Sequence, residues 1–248
     1  MEDSADKNTS LLNHLSDFRS CLLKSLMSII FVFCCLIFFA NEIYQFFAKP
    51  IQSILPIDSS MIATEIASTF LAPFKLTLFL SIILSMPYIL VQLWSFIAPG
   101  LYKKEKKIII PIFFSSIIFF YIGMVFCYLV VFPLIFGFFS SIAPVGISVT
   151  PDISHYLNFI LKLFIAFGVT FEIPIVILIL VITNVTTVES LKRKRPYIIL
   201  SCFIFGMLLT PPDVISQSLL AIPAWFLFEF GLLLSILFKK NKIKYANE

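Results

Sequence analysis

Long apolar runs alternate along the whole chain with short polar segments, and the runs are apolar on every side rather than striped like an amphipathic helix. Six stand out: 22–41, 69–98, 108–139, 154–182, 196–210 and 214–238. A helix needs about 20 apolar residues to cross a hydrocarbon core, so the pattern predicts six transmembrane helices and leaves little chain for a soluble domain. The runs are unequal. Residues 108–139 exceed what a crossing requires, which predicts tilt, a bend at Pro133 or protrusion past the bilayer. Residues 196–210 would reach only roughly 22 Å across a core of about 30 Å, so the bilayer is expected to thin there.

Turn residues support the boundaries. Pro99-Gly100 closes the second run, and Thr150-Pro151-Asp152 reads as an N-cap, a first-position proline and a first-turn acid opening the fourth. Pro211 and Pro212 end the fifth run, and Asp213 is placed to cap the sixth near Ser216, which makes the fifth and sixth helices a tight hairpin. The connection 42–68, with Pro50 and Pro56, is the longest and is expected to form a small outer cap. Proline also falls inside runs, at Pro73, Pro87, Pro133, Pro174 and Pro223, so a curved bundle is expected. There is no internal repeat.

Charge orients the helices. Of 18 Lys and Arg residues, all but Lys49, Lys75 and Lys162 lie in the amino-terminal segment, two short loops or the carboxyl tail. These are Lys7, Arg19 and Lys24; Lys103, Lys104, Lys106 and Lys107; Lys192, Arg193, Lys194 and Arg195; and Lys239, Lys240, Lys242 and Lys244. The alternate gaps hold only Lys49 and five acids, Glu42, Asp58, Glu65, Asp152 and Asp213. Since cytoplasmic loops carry the basic excess, both termini are expected in the cytoplasm. The composition, 60% hydrophobic against roughly 45–50% in soluble domains, agrees with an all-α integral membrane protein. The net charge of +4 needs no nucleic acid, because basic residues flanking spans meet anionic membrane lipid. The polar, acid-bearing first twenty residues are unlike a cleaved signal peptide, so the first helix is expected to stay as an anchor.

Little points to bond-making chemistry. Cys21, Cys34, Cys35, Cys127 and Cys202 lie in or beside apolar runs without metal-ligand spacing, and His14 and His155 belong to no catalytic motif. No metal, no cofactor and no enzymatic activity are expected. Four charges fall inside runs, where each costs about 2.5 kcal/mol or more: Lys75, Lys162, Glu172 and Glu229. Lys75 lies near the outer end of its run and Glu229 in the inner half of the last, where snorkelling or shallow burial explains them. Lys162 and Glu172 share one predicted helix about 15 Å apart along its axis and cannot pair within it. Glu172 faces either a water-filled cavity or the bundle interior, or else hydrogen-bonds a neighbouring helix. Glu105 among its four lysines, and Asp17 beside Arg19, read by themselves as solvated ion pairs. A proton- or solute-coupled transporter using Glu172 and Lys162 is the alternative these charges allow.

Several short motifs, taken in order, carry a resemblance. They are His14-Leu15-Ser16-Asp17-Phe18-Arg19, Pro99-Gly100-Leu101-Tyr102-Lys103-Lys104-Glu105, Phe167-Gly168, Phe171-Glu172-Ile173-Pro174, Arg195-Pro196-Tyr197 and the run from Leu209 to Gln217. Their order and spacing, over residues 11 to about 236, resemble the TatC family of twin-arginine translocase subunits. The resemblance implies one transmembrane domain over residues 1–248, a concave bundle in the bacterial cytoplasmic (inner) membrane, and the core receptor of a machine exporting folded proteins with the proton-motive force. It implies that Asp17 and Glu105 receive the two adjacent arginines of a signal peptide, with Arg19, Phe96, Leu101 and Tyr102 beside them. Asp17 stands where the family usually has glutamate and is one methylene shorter. Glu172 becomes an intramembrane polar group, and Thr210 and Gln217 a docking surface for small single-span partners of the TatA/TatB type, although capping and helix-to-helix hydrogen bonding also explain that pair. Self-association is implied as well.

Overall fold

Residues 2–45 contain neither proline nor glycine to stop a helix, and the helix accordingly starts in the polar leader rather than at residue 22: α1 is Glu2–Leu36. It tightens to a 3₁₀ turn at Ile37–Phe39 and stays helical to residue 45. The structure, a computed structural model, describes residues 2–45, 66–97, 106–135, 137, 152–209 and 214–246. The expected outer cap therefore falls largely on residues 46–65, outside the described residues, while the ends of that connection are helical.

The chain forms two compact units. In the first, α1 packs against α2 (Ile66–Ile97). The half-buried stripe Cys21, Ser25, Ser28 and Val32 recurs every three or four residues, which is one helix face. On α2 the buried face carries Ala72, Leu76, Phe79, Ile83, Leu90 and Trp94. Hydroxyls share that face and are turned onto their own helix: Thr77 Oγ1 donates to the Pro73 carbonyl at 2.8 Å and Ser81 Oγ to the Thr77 carbonyl at 2.7 Å. Pro73 and Pro87 interrupt the ladder without ending the helix.

The boundary between units falls within α3 (Lys106–Phe126), after Phe113. In the second unit α3 widens to a π-helical turn at Cys127–Val131 and runs on to Ile135. Pro133 has no N–H for the carbonyl of Leu129, and the widened turn takes up that mismatch. Then α4 (Ile153–Thr170) begins with Asp152 as its cap, the carboxylate accepting from the Ser154 N–H at 2.9 Å. Thr150 and Pro151, the expected cap and first residue, lie outside the described residues; Asp152 sits before the helix rather than in its first turn.

The run 154–182 stands as one apolar stretch, Ile153–Ile182, long enough to cross a membrane and interrupted beside Pro174, where a kink is expected. It comprises two helices, α4 and α5 (Ile173–Ile182), joined through Phe171 and Glu172. Pro174 cannot donate to the carbonyl of Thr170, and the Glu172 N–H turns instead to Val169 three residues back, at 3.0 Å. After the left-handed Asn184 (φ 58°), Thr187 caps the short α6 (Val188–Arg193) by accepting from the Ser190 N–H at 3.2 Å. Glu189 in its first turn is held below the usual carboxylate range, chiefly by its own backbone N–H and then by Lys239. α7 (Arg195–Leu209) and α8 (Val214–Ala246) pack as expected of a hairpin. α8 also packs on α5, burying Ile177, Val188, Phe228 and Leu232 together.

The fold is all-α, and among the described residues five helical stretches are long and apolar enough to cross a membrane: Leu15–Gln45, Phe70–Phe96, Ile110–Ile135, Ile153–Ile182 (α4 and α5 together) and Val214–Lys239. α7, at 15 residues, is the shorter apolar helix that the hydropathy pattern counted as a sixth.

Helix α3 meets α4 through glycine and aromatic side chains. A Cβ at Gly123 would lie 2.6 Å from the Phe167 carbonyl and 2.9 Å from the Phe171 side chain, and one at Gly168 would lie 2.6 Å from the Phe120 ring. Gly123→Ala is expected to force α3 from α4 and to cost about 1–3 kcal/mol, read as a lower melting midpoint in mild detergent. Gly137→Ala, whose Cβ meets nothing within 4 Å, should leave the midpoint in place. Equal behaviour of the two would contradict this packing.

Candidate functional site

The residues singled out by sequence fall in four places. In the first unit, Asp17, Phe18 and Arg19 occupy one exposed turn of α1. Phe18 and Asp17 lie three and four residues before the buried Cys21, so they continue the stripe that faces α2. The Phe18 ring reaches Phe96, with centroids 5.4 Å apart and planes tilted by 49°. That contact ties the middle of α1 to the end of α2, and so fixes the Asp17 turn beside the point where the chain leaves α2 for the segment holding Glu105. Leu101, Tyr102 and Glu105 lie outside the described residues; Glu105 immediately precedes the first residue of α3. Phe18 was missed as a site residue, although its place between Asp17 and Arg19 in the motif was the available signal.

The second place is within the second unit. Glu172 is buried, 7% exposed, at the break between α4 and α5. It makes no side-chain cap to α5. Instead Ser116 on α3, itself fully buried, donates its Oγ proton to Oε2 at 2.5 Å. The interface that aligns them runs continuously: Glu172 meets Ser116, Gly168 meets Phe120, and Phe167 and Phe171 meet Phe126 at ring distances of 5.9 and 5.4 Å. Of the two readings open for Glu172, the hydrogen bond to a neighbouring helix is present. The other oxygen, Oε1, is also buried and has no hydrogen-bond partner among the described residues. Ser116 too was missed; its signal was the pair Ser115-Ser116 in an otherwise apolar run.

Third, Gln217 on α8 is half-buried and its Nε2 donates to the Phe203 carbonyl of α7 at 2.8 Å. Gly206 makes room for it, since a Cβ there would stand 3.1 Å from the Gln217 Cγ. This hydrogen bond ties the α7–α8 hairpin. Thr210 and Asp213 lie outside the described residues.

Fourth, Glu229 on α8 is shallowly buried, one of the two readings open for it, and it is paired. It accepts from Arg195 Nη2 at 2.6 Å across to α7, with the two side chains 26% and 44% exposed. Lys162 is exposed on α4 while Glu172 is buried at the break that ends that helix, so the two do not share one environment. Among the described residues no three His, Cys, Asp or Glu side chains cluster to hold a metal ion.

Residues 13–223 match the family model of the Sec-independent protein translocase protein TatC. Relatives carrying that name include those of Haemophilus influenzae, 50% identical with 94% of this chain and 91% of the relative covered, and of Escherichia coli strain K12, 50% identical with 94% and 90% covered. The fold is similar to a crystal structure of the twin-arginine translocase receptor TatC, with a TM-score of 0.80, 34% identity, and 90% of this chain and 98% of that chain covered.

The two polar contacts of the second unit should behave differently when broken. Glu229→Gln removes one charge from a partly exposed pair and is expected to change stability by less than about 1 kcal/mol. Ser116→Val strips the donor from a buried carboxyl and is expected to cost about 1–3 kcal/mol or more. Melting of the two variants in the same detergent checks the ranking, and the reverse order would refute it.

Proposed function

This chain belongs to the TatC family of Sec-independent protein translocase proteins, membrane components of twin-arginine protein transport, and we propose that its specific part in that transport is to receive the signal peptide and gather the partner subunits. The observation that best supports a receptor is the contact of Phe18 with Phe96, because it draws the Asp17 turn to the end of the helix that leads into the Glu105 segment. A planar guanidinium makes paired, charge-assisted hydrogen bonds with a carboxylate. Two carboxylates from two chain segments suit two adjacent arginines better than one could. Phe96, Leu101 and Tyr102 offer apolar contact to the residues flanking the arginines.

In this reading the six spans act as one transmembrane domain over residues 1–248 of the bacterial inner membrane, with both termini and the receptor surface cytoplasmic. The charge pattern supports that orientation. The signal's apolar stretch then enters the membrane, where Glu172 supplies a polar contact. Thr210 and Gln217 mark the hairpin against which small single-span TatA/TatB-type subunits dock, using the hairpin face that the Gln217 to Phe203 bond holds rigid. Self-association and the proton-motive force complete the passage; no nucleotide-binding loop offers another energy source. The transporter alternative loses support, since Lys162 and Glu172 do not share one environment and the family is one of protein translocation.

Glu105→Arg is expected to abolish both capture of a twin-arginine signal peptide by the purified complex and export of its precursor. Asp17→Ala should weaken capture about ten-fold or more, while Asp17→Glu should retain it. A Glu105→Arg protein that still exports would reduce Glu105 to a surface ion pair.

A further inference from the structure

We infer that Ser116 is a positioning residue for export, holding the Glu172 carboxyl in one orientation so that a single oxygen is left to meet a hydrogen-bond donor entering on an apolar helix. The inference rests on the proposed role of Glu172 as an intramembrane polar contact. Three observations carry it. Ser116 has one hydroxyl proton, and its bond to Oε2 at 2.5 Å spends that proton on Glu172. The spacing of α3 and α4 is fixed where Gly123 lies against Phe167 and Phe171 and where Gly168 lies against Phe120, so Ser116 cannot withdraw without unpacking the interface. Oε1 is buried in a residue only 7% exposed and has no partner among the described residues, which is a costly arrangement for an oxygen with no use.

The break in the helix matters to this geometry. Glu172 precedes α5, where an acceptor side chain could turn onto the free N-terminal N–H groups of that helix. It makes no such cap. Ser116 draws the carboxyl away from its own helix and toward α3, so the orientation is set between helices rather than within one.

The test uses the complete complex in membrane vesicles with a twin-arginine precursor. Ser116→Ala is expected to leave signal-peptide capture unchanged and to lower export about ten-fold, near the level of Glu172→Gln. Adding Ser116→Ala to Glu172→Gln should cause no further loss, because two residues acting through one carboxyl are not additive. Ser116→Cys, which fills the same space with a weaker donor, should give an intermediate loss, and it takes the place of Ser116→Ala should that variant fail to accumulate in the membrane. Wild-type export by Ser116→Ala alongside impaired Glu172→Gln would overturn the positioning role. So would losses that add in the double variant, which would mark a separate structural defect. Wild-type export by Glu172→Gln would instead overturn the role of Glu172 itself, on which the inference stands.

Discussion

Hydrocarbon offers no hydrogen bonds, so every polar group carried into it must be satisfied by the chain itself. That constraint explains why the protein is all-helical and why its irregularities have local remedies. Thr77 and Ser81 turn their hydroxyls onto their own helix, and Pro133 is accommodated by a widened turn. Pro174 is accommodated by a break whose backbone groups rebond to Val169 and Phe167. Some buried groups have no hydrogen-bond partner among the described residues, Ser85 Oγ, Trp225 Nε1 and Glu172 Oε1, and of these the carboxyl alone can carry a charge. One oxygen is bonded to Ser116 and the other is left unmatched by the described residues.

The two ends of the proposed cycle draw on different physics. At the water boundary, Asp17 is exposed and its neighbourhood is set by an aromatic contact rather than by a charge, Phe18 against Phe96. Exposed carboxylates gain little from lone ion pairs; their value to a receptor comes from being held in a pair whose spacing matches two guanidinium groups. Within the membrane the same kind of group is worth more and costs more, and close helix packing replaces solvent as the means of control. Gly123 and Gly168 admit aromatic rings and backbone where any side chain would intrude, and that approach brings Ser116 within reach of Glu172. The Gln217 to Phe203 and Arg195 to Glu229 bonds do comparable work for the α7–α8 hairpin.

The helices were legible in the hydropathy because about 20 apolar residues have few other uses. The start of α1 was not, since a polar leader without proline or glycine looks the same whether it is helical or extended until something packs on it. Asp152 and Thr150 are both good caps, and composition could not choose between them. The embedded charges divided by whether their partner was near in sequence. Glu229 and Glu172 find Arg195 and Ser116 at separations of 34 and 56 residues, and no spacing rule along one helix reaches that far. The family motifs pointed to Asp17 and Glu172, yet the residues that orient them, Phe18 and Ser116, emerged only once helices were packed together.

The central claim is that the Asp17 turn and the Glu105 segment form one receptor for paired arginines, and its most direct test is a photoreactive side chain substituted at Phe96. Irradiation of the assembled complex with precursor should capture signal peptides bearing two adjacent arginines, and the yield should collapse when both are changed to lysine, which keeps the charge but loses the planar paired hydrogen bonds. Equal capture of the two signals, or capture of neither while export proceeds, would contradict the account.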